Sequence, residues 1–207
     1  AIVNPNVDEK SIENLGTISS RCKVIYSDRY FKQDNLTVNL EYIINEKLEL
    51  LNKNFPGKYD LIIVGSMSSD PGFDKTKVNP NIKFMGSLSK DKIKKLFIQS
   101  HIFVLPTIEE GQAIVIGEAF SHGLPVISTP FSGTLDYVKN NELLKKSLEN
   151  YSIQIFRHSN LKSFYESVMK LSNIDAYNKA SDYSLLIASQ NTWNKSGQEL
   201  VEKLSLI

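Results

Sequence analysis

Two carboxylates, Glu110 and Glu118, stand eight positions apart around the start of a helix, with Gly111 directly after the first. Gly111 lets a ligand approach the backbone closely, and the free N–H groups of about Gln112 to Ile114, aided by the helix dipole, suit an anion such as a phosphate. Glu118 lies about six residues inside that helix, hence roughly 9 Å further along at 1.5 Å per residue. That is about the step from a diphosphate to ribose hydroxyls. Glu110, on the loop ahead of the helix, is placed to accept hydrogen bonds from hydroxyls on the other side of the phosphates. The spacing reads as a ruler for sugar, diphosphate and ribose. Between Glu110 and Asp136 the only formal charge in 25 residues is Glu118, where the chain's 23% charged fraction predicts about six. The segment is therefore expected deep inside the domain, where a dry, unpaired carboxylate costs several kcal/mol and needs a partner or a polar ligand.

The elements that must position these groups follow from alternating patterns. Apolar runs at Lys23 to Tyr26, Leu61 to Val64, Ile82 to Phe84, Ile102 to Leu105, Val126 to Ser128 and Ile153 to Phe156 read as strands. Helical spacing marks Leu36 to Asn52, the segment of Ile93, Leu96 and Phe97 capped by Ser89 or Asp91, and about Gln112 to His122 stopped by Gly123. Leu161 to Leu171 and about Ala176 to Leu204, broken near Asn191, complete the pattern. Ser66 to Pro80 reads as a loop. Strands alternating with helices predict an α/β fold, a doubly wound, Rossmann-like parallel sheet, whose ligands sit at the carboxyl ends of its strands. The expected organisation is a lead-in over residues 1–20 from a domain that precedes this chain, the α/β domain over 21–190, and a carboxyl-terminal helix over 191–207.

Composition excludes several classes of partner. Lys+Arg 24 against Asp+Glu 23 leaves a net charge of +1, so no global field favours nucleic acid or an anionic membrane. Cys22 is the single cysteine, which rules out an internal disulfide and fits a reducing compartment such as the cytoplasm. No apolar run approaches the roughly 20 residues of a membrane span. No G-x-G-x-x-G follows the first strand, where the turn is Ser27-Asp28-Arg29, so a dehydrogenase is a poor fit. His101, His122 and His158 show no metal-ligand spacing.

The run from Pro106-Thr107 through Glu110-Gly111-Gln112-Ala113 and Gly117-Glu118-Ala119 to Gly123-Leu124-Pro125-Val126-Ile127 resembles the signature of family 4 (group 1) glycosyltransferases. The likeness extends over most of residues 21 to 140, taking in Leu61 to Gly65 and Ile82 to Leu88. It implies the carboxyl-terminal, donor-binding half of a two-domain GT-B enzyme that takes a sugar from a UDP- or GDP-type donor, with retention, to a glycan or lipid-linked acceptor. The acceptor would be bound by an amino-terminal domain that this chain lacks, and the full-length protein would be cytoplasmic and in reach of a membrane surface. No cofactor or metal is implied. By the same resemblance Glu118 holds the ribose hydroxyls, Glu110 the donor sugar, and Gly111, Gln112 and Ala113 offer backbone donors. Arg29 neutralises the diphosphate, with Lys32 as its helper, and the loop at Ser87 and Leu88 frames the base. Asp28 and Asp34 depart from the family's glycine and lysine, and Asp136 from its usual glutamate. A carboxylate at 34 repels phosphate, so a non-catalytic module with a degraded donor site is the alternative, and an epimerase of the same architecture a third.

Ordinary structural roles compete for each residue. Glu118 is also readable as an internal bridge, Glu110 as a solvated loop residue beside Glu109, and Arg29 as a partner of Asp28 or Asp34. Lys90, Lys92, Lys94 and Lys95 read as the solvated face of a helix, His122 as a helix-end histidine, and Trp193 as a packing anchor.

Overall fold

The computed structural model describes residues 22–27, 59–65, 82–107, 113–139, 141–156 and 161–205. Six strands form one sheet: β1 Cys22–Ser27, β2 Tyr59–Val64, β3 Ile82–Phe84, β4 Ile102–Leu105, β5 Val126–Ser128 and β6 Ile153–Ile155. Their order is β3-β2-β1-β4-β5-β6 and every pairing is parallel. That order reverses between β1 and β4, the switch point at which doubly wound sheets open a crevice beyond the strand ends. Register across the switch pairs Val24 with Ile102 and Tyr26 with Val104, so both strands finish at the same edge.

The strands form where predicted because each is built on a short apolar run, interrupted or flanked by Lys23, Asp60, Lys83 and Gln154 in β1, β2, β3 and β6. Along β4, Ile102 and Val104 join one core with Leu61, Ile63, Ile127 and Phe156, while Phe103 and Leu105 point into a second with Val126 and Ile153. Six helices are described: α1 Lys90–Ile98, α2 Ile114–Ser121, α3 Glu142–Glu149, α4 Leu161–Lys170, α5 Ile174–Gln190 and α6 Trp193–Leu204. Phe164 and Val168 of α4 fill the first core, and Ile116, Ala119 and Phe120 of α2 the second. α5 serves both, Ala180 in one and Ile187 in the other.

Several helix ends differ from expectation. Ser89 occupies the cap position of α1 but its side chain makes no capping hydrogen bond, and Asp91 sits within the first turn, where its charge favours the dipole. The break near Asn191 is real, since Asn191 caps α5 and its side chain bonds the Ile187 carbonyl at 2.8 Å. Trp193 is not a packing anchor: it is 83% exposed at the first residue of α6, and Val201 and Leu204 lie open along the same helix. The lysine run on α1 is solvated throughout, as its pattern predicts. The helix over Leu36 to Asn52 and the loop over Ser66 to Pro80 lie outside the described residues. Among the described residues no helix is long and apolar enough to cross a membrane.

Candidate functional site

The switch-point crevice is bordered by the end of β4. Pro106 and Thr107 continue the strand into the interior, and the chain returns at Ala113, the buried N-cap of α2. Ala113 has extended dihedrals and no side chain able to cap, so the first amides of α2 receive no side-chain partner from their own cap. α2 ends in a Schellman motif: Gly123, at φ 71°, donates to the Phe120 carbonyl at 2.9 Å, and Leu124 to the Ala119 carbonyl at 3.1 Å. His122 shares the Glu118 carbonyl with Ser121, each at 2.7 Å, and stacks on Phe97 with centroids 5.3 Å apart. Its position confirms a helix-end histidine.

Glu118 corrects the burial argument. It is exposed, as is Ile114, which lies one turn earlier on the same face and is 64% exposed. The shortage of charge does mark a buried segment, because Ile116, Ala119, Phe120, Val126 and Ile127 have essentially no exposed surface. Glu118 stands on the opposite side of the same short helix, so it carries no desolvation penalty that an internal partner must relieve. The exposed residues of α2 are thus Ile114, Glu118 and Ser121.

The remaining sequence-derived residues divide in two. Ala113 and Glu118 belong to this helix, and Leu88 is half-buried just beyond β3, at the same edge of the sheet but two strands from the switch. Glu110, Gly111, Gln112, Arg29 and Lys32 lie outside the described residues, as do Asp28, Asp34 and His158. β1, which Arg29 follows, ends at the switch with Ser27. Asp136 pairs with Lys139 at 2.8 Å on the surface. Among the described residues no group of acidic, histidine or cysteine side chains forms a metal site.

Two features escaped the sequence reading. A chain of buried hydroxyls ties the β4 end to the segment after β5: Thr129 Oγ1 donates to the Thr107 carbonyl at 2.6 Å, and Ser132 Oγ to the Thr129 carbonyl at 2.8 Å. Thr134 Oγ1 lies 2.7 Å from Ser128 Oγ and 2.6 Å from Ser132 Oγ. The crowding of hydroxyl residues between Ser128 and Thr134 is the available signal for this network. The other is Tyr137, in the 3-10 turn Thr134–Tyr137, whose hydroxyl donates to the Ala113 carbonyl at 3.3 Å. Burial first, and then the nearby Glu118 carboxylate, raise its pKa above 10, opposed by a hydrogen bond from the Gly117 backbone.

Comparison with known proteins agrees with this fold. The chain is 26% identical over 105 residues to an uncharacterized glycosyltransferase of Methanocaldococcus jannaschii, a match spanning 49% of this chain and 26% of that protein. Among solved structures it is similar to an alpha,alpha-trehalose 6-phosphate synthase from Burkholderia multivorans, at TM-score 0.62 and 12% identity over 95% of this chain and 45% of that one. It is also similar to the trehalose-6-phosphate structure from E. coli bound with UDP-2-fluoro glucose, at TM-score 0.63 and 10% identity over 97% and 48%. The chain thus spans about a quarter of the curated relative and under half of these solved chains. At such identities the structures establish a shared fold, that of one half of a GT-B glycosyltransferase. The group 1 glycosyl transferase family matches residues 24–173, and the chain belongs to that family.

Proposed function

We propose that the chain binds a nucleoside-diphosphate sugar and forms the donor half of a glycosyltransferase, which passes the sugar to a glycan or lipid-linked acceptor held by an amino-terminal domain. The observation that carries this reading is the exposed Glu118 carboxylate on α2, at the switch point of a sheet in a group 1 family chain. In this reading Glu118 accepts hydrogen bonds from the ribose hydroxyls and Glu110 from the donor sugar. Gly111, Gln112 and Ala113 offer backbone N–H groups to the diphosphate, Arg29 and Lys32 neutralise its charge, and the segment at Leu88 frames the base. As the sugar departs, negative charge grows on the diphosphate, and the cations and amides stabilise it electrostatically, with no metal called for. Retention of configuration and a cytoplasmic location belong to the same proposal.

Isothermal calorimetry of this chain with UDP and GDP tests it. One of them is expected to bind weakly, and Glu118→Ala to weaken that binding about tenfold or more, the scale of hydrogen bonds to a charged acceptor. Unchanged affinity in Glu118→Ala would overturn the assignment. Asp34→Lys separates the alternative of a degraded site: a large gain in affinity would show that the carboxylate at 34 has suppressed donor binding.

A further inference from the structure

α2 is a weak helix in a demanding place. It has eight residues, below the roughly 12 to 15 at which isolated helices become even marginal, and its cap residue is Ala113. Glu118 projects just beyond the first turn, so fraying there would move the carboxylate. Tyr137 sits against that turn. Its hydroxyl donates to the Ala113 carbonyl at 3.3 Å, and its ring meets Phe120 edge-on at 5.5 Å between centroids. From the other side, Asn191 Nδ2 donates to the Tyr137 carbonyl at 3.1 Å and to the Ile187 carbonyl at 2.8 Å, so the end of α5 braces the tyrosine backbone. Gly117 supplies the seat, because a Cβ there would lie 3.0 Å from the phenol oxygen.

The geometry points to Tyr137 as a positioning residue: it staples the first turn of α2 through the Ala113 carbonyl, and so fixes Glu118 in the orientation that binds ribose. This inference rests on the donor-binding reading above. The staple is not generic packing, since the ring alone accounts for the contact with Phe120 while the hydroxyl alone reaches the Ala113 carbonyl.

Tyr137→Phe keeps the ring and removes the hydroxyl. Calorimetry with UDP, or with GDP if that is the nucleotide bound, is expected to give a Kd about three- to tenfold higher than wild type, with the melting temperature nearly unchanged. Amide exchange at Ile116 to Glu118 is expected to quicken. In a Glu118→Gln background the further loss from Tyr137→Phe should vanish, because a residue acting through Glu118 has nothing left to position. Gly117→Ala, whose methyl displaces the phenol oxygen, should reproduce the affinity loss from the other side of the contact. Wild-type binding that Tyr137→Phe leaves unaltered would overturn this inference alone. An equal loss in the Glu118→Gln background would do the same, by showing that the hydroxyl acts independently of the carboxylate. No binding of either nucleotide by the wild-type chain would overturn the donor-binding reading itself, and the positioning role with it.

Discussion

The two faces of α2 obey different rules although they share eight residues. On the inner face, Ile116, Ala119 and Phe120 are sealed against β4, β5 and α5, and their identity is set by packing. On the outer face, Ile114 and Glu118 are open. Packing does not set the identity of the residues there. A segment poor in charge is thus not one environment. Low charge reports burial on one side of the helix and an open surface on the other, and only the helical period, applied strictly, separates them.

Substitutions can break or sharpen that contrast. The largest effect is expected on the inner face, where Phe120→Ala should lower unfolding free energy by about 3–5 kcal/mol in chemical denaturation, as aromatic truncation in a sealed core does. A loss below about 1 kcal/mol would show that α2 is not anchored as described. Thr134→Val should cost about 1–3 kcal/mol, because it strips the Ser128 and Ser132 hydroxyls of their shared buried partner. Gly123→Ala is expected to cost about 1–2 kcal/mol, since a methyl at φ 71° is strained and would meet Ser181 Oγ at 2.9 Å.

A smaller effect follows from pH. The Tyr137 pKa is raised in the folded chain above its ordinary 10.0, so the folded state holds this proton more tightly than the unfolded state. The resulting stability is fully present below pH 10 and is lost as pH climbs through the folded value. Tyr137→Phe should therefore lose less stability than wild type between neutral pH and the range above 10, measured by urea titration. The smallest stability effect is expected on the outer face: Glu118→Gln should shift unfolding by no more than about 0.5 kcal/mol while weakening nucleotide binding. A large stability loss would return Glu118 to a structural role.

Much of the fold was legible because it is written locally. Strands β3, β4 and β5 have the limits that their apolar runs predict, and Gly123 ends α2 because only a residue at ease with positive φ closes a Schellman motif there. α3 went unread despite its signal, Asn141, whose side chain accepts from the Leu143 and Leu144 amides at 3.0 and 3.2 Å. Leu143 and Leu148 are exposed and only Leu144 reaches the core, so the helix has a thin apolar stripe. Trp193 misled for the opposite reason. Large aromatics are usually covered, but none of the described elements covers this one.

The amino-acid sequence alone determined the alternation of strand and helix, the place where α2 stops, and the motif that identifies the family, because each depends on residues within a turn or two of one another. Tertiary structure decided the strand order that brings β4 beside β1, the exposure of Glu118, the hydroxyl chain from Thr107 to Thr134, and the seat of Tyr137 on Gly117. The strand order, the Thr129–Thr107 link of that chain and the Tyr137 seat join residues 20 or more positions apart, and the exposure of Glu118 depends on which side of a helix a neighbouring layer covers. No local pattern records which distant backbone will satisfy a given hydroxyl, or which face will be left open.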